Sequence, residues 1–171
     1  KRGNYGISFD LADRIVRHFP EIDRAWLLTG AGTMLKDEIA VGNEIPYYNE
    51  EVENVLVNRR SYKPVTRVYL PSVSGCDLVA RTYQRAMCEP TCAATELFLK
   101  KVDLDEIIQG NEYVLVLKNR SVIWRKMRLT SNKGVWRLVA RNREEYEDIL
   151  LEHKKIAQAW RVIAKTSIMS S

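Results

Sequence analysis

Two runs set the fold class: Glu112-Tyr113-Val114-Leu115-Val116-Leu117 and, after four polar residues, Val122-Ile123-Trp124-Arg125-Lys126-Met127-Arg128-Leu129. Both have strand length and are rich in β-branched and aromatic side chains, which suit a pleated, half-buried surface. Similar segments recur at Val65–Leu70, Leu78–Tyr83, Glu96–Lys101 and Val135–Arg141. Gln109-Gly110-Asn111 and Asn132-Lys133-Gly134 have the composition of turns. Near the end, Ile156, Trp160 and Val162 fall at even spacing with Gln158 between them, which predicts a closing strand presenting these three on one face. The expected result is a mostly β domain over residues 65–171.

Working outward, the pattern ahead of this domain changes twice. Residues 35–64 are acidic, contain Pro46 and lack sustained periodicity, so they read as a linker, with room for a short helix or extended stretch at Asn49–Val57. Before it come two short helices. Ser8 is an N-cap candidate with Asp10 in the first turn, and Leu11, Ala12, Ile15, Val16 and Phe19 repeat at helical spacing until Pro20 stops the run. Asp23 is a second N-cap candidate, and Gly30 supplies the left-handed stop after Thr29.

The chain of 171 residues carries 27 Lys+Arg against 22 Asp+Glu, a formal charge of +5. Asp37, Glu38, Glu44, Glu50, Glu51 and Glu53 cluster in the linker, whereas Lys118 to Arg143 holds nine basic residues and no acidic one. That run reads either as a solvated sheet face or as a contact for nucleic acid. No apolar run approaches the roughly 18 residues needed to span a bilayer, and no signal peptide opens the chain, so a cytoplasmic protein without membrane contact is expected. Three cysteines, Cys76, Cys88 and Cys92, suit small buried apolar residues in a reducing setting better than a disulfide framework or a zinc site. No phosphate loop, dinucleotide fingerprint, zincin helix or nucleophile elbow is present. Neither a cofactor nor a small-molecule substrate is implied.

Three motifs carry a resemblance. Phe19-Pro20-Glu21-Ile22-Asp23-Arg24-Ala25-Trp26-Leu27-Leu28-Thr29-Gly30-Ala31-Gly32-Thr33-Met34 resembles the end of the helix-turn-helix domain of phage-type repressors. Arg85-Ala86-Met87-Cys88-Glu89-Pro90-Thr91 is similar to the G-D-S-M-E-P-T loop of LexA-like and phage CI-like repressors, and Gly110 to Lys126 resembles a later portion of the same domain. The resemblance implies a LexA/signal-peptidase-like β fold at residues 65–171, preceded by the last helices of a helix-turn-helix domain (1–34) and a linker. It also implies a recognition helix upstream of Lys1, with Lys1 and Arg2 as weak candidates for phosphate contact.

The departures from that family bear on mechanism. Its serine nucleophile falls here at Met87, with Ala86 one residue away, and neither has a hydroxyl. Its lysine base falls at Arg125, and a guanidinium stays protonated. The one Ala-Gly bond that could stand for the family's cleavage site is Ala31-Gly32, at the wrong end of the linker. The leading expectation is therefore a transcriptional regulator with a lost peptidase dyad. It would contact DNA through the full-length protein and form a homodimer through Ile156, Trp160 and Val162 on an exposed closing strand. The alternative is a self-cleaving peptidase that uses Ser72 or Ser74, and a third reading is a protein-binding module using the Tyr- and Trp-bearing sheet.

Overall fold

In a computed structural model, residues 7–20, 22–31, 34, 44–70, 73, 75–89 and 91–169 are described. The chain divides into two compact units, Lys1–Gly42 and Asn43–Ser171.

The first unit is built on the capping signals. Helix α1 spans Phe9–His18, and the Ser8 hydroxyl accepts from the Leu11 amide at 3.3 Å. Helix α2 spans Arg24–Thr29, and the Asp23 carboxylate accepts from the Trp26 amide at 2.8 Å. Gly30 closes α2 at φ 66°, where a side chain would be strained, and its amide donates to the Trp26 carbonyl. The apolar stripe of α1 is only partly covered. Ala12 is buried, whereas Leu11 and Phe19 stay exposed.

The second unit is mostly β. Its strands are β1 (Glu44–Glu51), β2 (Thr66–Tyr69), β3 (Leu78–Thr82), β4 (Cys92–Val102), β5 (Glu112–Leu117), β6 (Val122–Leu129), β7 (Val135–Val139), β8 (Ile149–Glu152) and β9 (Ile156–Met169), with helix α3 (Val52–Val57) between β1 and β2. They form one sheet in the order β2-β1-β3-β4-β9-β5-β6-β7-β8. Neighbours run antiparallel except β1 and β3, which are parallel. Gly110 and Gly134, with φ of 89° and 90°, make the turns expected of their segments.

Strand β5 shows how the sheet is held. Val114 and Val116 pack on one face with Leu97, Leu99, Trp124 and Trp160, while Tyr113 and Leu115 pack on the other with Met127, Leu138 and Ile156. A strand covered on both faces is apolar throughout rather than alternating. Each such large side chain stabilises the fold by at most about 1.5–3 kcal/mol relative to its exposed state.

Two expectations are corrected here. The linker read at 35–64 is too long, because the second unit begins at Asn43 and β1 with α3 belongs to the sheet. Ile45, Tyr48, Val52, Val55 and Leu56 are buried, and Pro46 is tolerated because the ladder between β1 and β3 begins only at Tyr47. The closing strand exists, but it is not an edge at Ile156 and Trp160. It lies between β4 and β5 over Ile156–Arg161, and Ile156 and Trp160 are 2% exposed. A bulge opposite Val116 and Leu117 also turns Ile156 to the far face, away from Trp160 and Val162. Ile156 and Trp160 are core, so they cannot form the association surface; Val162 is partly buried against the same cluster as Trp160 and lies one residue past the end of the β5 ladder.

Candidate functional site

The candidate site is organised by Gln84 and the single 3-10 turn that follows it, Arg85–Met87. The Gln84 amide nitrogen donates to the Val122 carbonyl at 3.1 Å, and its amide oxygen accepts from the Trp124 N–H at 2.9 Å. One side chain thus satisfies the free edge of β6 where β7 does not reach, since the β6–β7 ladder begins at Lys126. Gln84 and the Thr82 hydroxyl both donate to Glu53 Oε1, at 2.6 and 3.0 Å. On the other side, the Ala86 carbonyl accepts from the Arg141 and Asn142 amides, tying the turn to the loop after β7.

Held this way, Met87 is 3% exposed and forms part of the wall of a cavity of about 380 Å³, with Val139 and Ala140. The rest of the lining is charged: Lys126, Arg128, Arg141, Arg143 and the carboxylate Glu112. Glu112 is already engaged. Lys165 Nζ donates to both its oxygens at 2.8 and 2.9 Å, and the Trp124 indole N–H donates to it at 3.2 Å. Lys165 also stands 5.2 Å from the Trp124 ring centre.

Arg125 and Lys126 lie on opposite faces of β6, as a one-residue step requires. The structure puts Arg125, aligned with the family's lysine, away from Met87. It is 8% exposed, donates to the Trp124 carbonyl at 2.9 Å, and stands 5.8 Å from the Tyr146 ring centre. Burial pushes its guanidinium below the usual value, while Tyr146 and Asp148 act the other way. Lys126 is the residue that shares the cavity with Met87. The Lys126 amine and the Met87 thioether thus line one cavity. None of the described residues lining the cavity bears a hydroxyl or a thiol.

The thiol next in sequence turns inward. Cys88 Sγ lies 3.0 Å from the Thr95 hydroxyl and 3.5 Å from the Gln84 carbonyl, and Cys92 Sγ lies 3.3 Å from the same hydroxyl. Burial pushes the Cys88 thiol up. Cys92, although burial pushes it up too, is held below the ordinary value by hydrogen bonds with Thr95, Cys88 and Ser167. Both are buried and free, and Cys76 is half-buried and free. Among the described residues, no group of three or more His, Cys, Asp or Glu side chains is placed to hold a metal ion.

Lys1, Arg2, Ser72, Ser74 and Gly32 lie outside the described residues. Sequence reasoning missed Gln84, Glu53 and the Glu112–Lys165 pair, because each acts through a partner at least 29 positions away. The cationic lining did leave a signal. Lys126 and Arg128 flank Met127 at a period of two, as expected of a strand with one wet and one dry face.

Comparison with models of known protein families and with curated proteins gives no match for this chain.

Proposed function

We propose that the chain is a transcriptional regulator of the phage-repressor type, whose LexA-like β unit joins copies of the protein and has lost its peptidase chemistry. The observation that carries this reading is Met87. By the resemblance it stands where the family has its serine; it is packed into the wall of a cavity that Lys126 also lines. Supporting it are the two capped helices carrying the Trp26-Leu27-Leu28-Thr29-Gly30 motif and a mostly β unit after them.

Self-association on this reading moves to the distal half of β9. Strand β4 flanks β9 up to Met169, but β5 reaches only Arg161. Beyond that point, no other described strand pairs with the second side of β9. Ile163, Ile168 and Met169 there are 36%, 37% and 56% exposed. An open strand edge with apolar side chains recruits a second strand, and two copies related by a two-fold axis satisfy each other's edges. Such a dimer would hold two DNA-reading heads at the spacing of two half-sites.

The test is a pair of measurements on the full chain. Prolonged incubation at alkaline pH leaves it intact, and sedimentation over a range of concentrations shows a monomer–dimer equilibrium. Specific fragments would instead support the peptidase alternative through Ser72 or Ser74, and a strict monomer at high concentration would remove the association claim.

A further inference from the structure

We infer that the wet face of β6 and β7, with the loop that follows, is a binding surface for the phosphate backbone of nucleic acid. The regulator reading assigns DNA contact to heads outside the β unit, so this inference adds a second contact and does not need the first.

The register carries the argument. Lys126 pairs with Val139 and Arg128 pairs with Arg137, so Lys126, Arg128 and Arg137 share one face, while Met127 and Leu138 fill the core on the other. Two guanidinium groups directly opposite each other repel, and a fold gains nothing from that arrangement by itself. Arg141 and Arg143 follow at once and converge on the same cavity as Lys126 and Arg128.

The ion pairs formed among the described residues leave most of this set without a partner, although Glu112 stands directly opposite Lys126 and Glu144 lines a pocket with Arg141 and Arg143. Glu112 is taken by Lys165 and the Trp124 indole. Glu89 pairs with Arg141, but both side chains are more than half exposed, and such pairs are weak and readily exchanged for another anion. Asp148 stands 3.9 Å from Arg143, at the limit of an ion pair. Lys126, Arg128 and Arg137 have no ion-pair partner among the described residues.

The layout selects the ligand. Lys126 and Arg128 lie two residues apart on one strand, about 6.7 Å, with Arg137 on the neighbouring strand about 4.8 Å away. A row of cations at such intervals suits a chain with one charge per repeat better than a single small anion. The planar guanidinium fork also fits phosphate oxygens bidentately. The face offers backbone contacts only, so it is expected to bind without regard to base sequence.

The experiment is fluorescence anisotropy of a labelled duplex of arbitrary sequence, about one or two helical turns long, titrated with the full chain at several salt concentrations. For the variant Lys126→Glu/Arg128→Glu/Arg137→Glu, the slope of log affinity against log salt is expected to fall by two to three, and low-salt affinity at least tenfold, at about 0.9 per lost phosphate contact. Arg137→Glu alone guards against misfolding, since it turns a repelling pair into an attracting one; it should lose about one unit of slope. Lys154→Glu/Lys155→Glu, at two lysines outside this cavity that pair with Glu152, should leave the slope within half a unit of the parent. An unchanged slope in the Arg137 variant would overturn the inference. So would poly-glutamate binding as tightly as the duplex at equal ionic strength, which points to an acidic protein, or competition by millimolar inorganic phosphate, which points to a single-anion pocket. The regulator reading fails on different evidence, a strict monomer or self-cleavage, which leaves these slopes untouched.

Discussion

Arg137 is where stability and binding pull against each other. Facing Arg128 directly across the β6–β7 ladder, it should cost stability, and replacing it with glutamate creates an opposite-charge pair at the same place. Arg137→Glu is therefore expected to raise unfolding free energy by about 0.2–1 kcal/mol in urea titration, even as phosphate binding weakens. A destabilised variant would mean that Arg137 makes a contact that outweighs the repulsion. Gln84 is the opposite case, because its cost of removal is structural. Gln84→Leu leaves the Trp124 N–H and the Val122 carbonyl without their side-chain partner and strips Glu53 of one donor. A loss of about 2–3 kcal/mol is expected, in line with the penalty for orphaned buried polar groups. A change under about 0.5 kcal/mol would show that water fills the place of the amide, as it does at ordinary surface sites.

Strand β9 carries the association claim. Ile163 is the residue to test, because β4 pairs with Val162 and Ala164 and skips it at the bulge. A lysine there disturbs little within the sheet but puts a charge on the open edge, the device natural sheets use to block pairing. Ile163→Lys is expected to weaken self-association at least tenfold by sedimentation, with the far-ultraviolet spectrum unchanged; equal dimer stability would place the contact elsewhere. The same strand shows what the residues alone could convey. Its existence follows from alternation at Ile156, Trp160 and Val162, but the bulge that sends Ile156 to the other face is set by the ladder with β5 and leaves no mark on hydropathy. Strands β5 and β6 were legible to the residue, since long apolar runs between turn residues have few competing readings. Strand β1 was not, because Glu44, Glu50 and Glu51 with Pro46 resemble a linker until α3 is seen to bury Val52 and Val55. At the candidate site, the absent hydroxyl at position 87 was legible. Which of Arg125 and Lys126 lines the cavity was not, because parity puts the two on opposite faces but only the packing of the sheet says which face meets the cavity.

At the scale of the whole chain, the two units differ in how much they bury. The first, Lys1–Gly42, has two short helices with Ala12 as the buried apolar residue among those described. Helices of ten and six residues do not persist in water without tertiary support. A unit this small buries too little surface to be more than marginally stable. The second unit has packed clusters on both faces of its sheet, including Trp124 and Trp160. Denaturant should therefore unfold the chain in two steps. Each unit carries its own reporter, because Trp26 sits on α2 whereas Trp124, Trp136 and Trp160 belong to the sheet. With Trp26→Phe, tryptophan fluorescence follows the β unit alone, and the helical ellipticity signal should be lost at lower urea than that fluorescence. Asp23→Ala removes the cap of α2 and should move only the first transition, by about 1 kcal/mol. If both probes instead trace one coincident transition, and the cap variant shifts it as a whole, the units fold as a single cooperative body and their separation has no thermodynamic meaning.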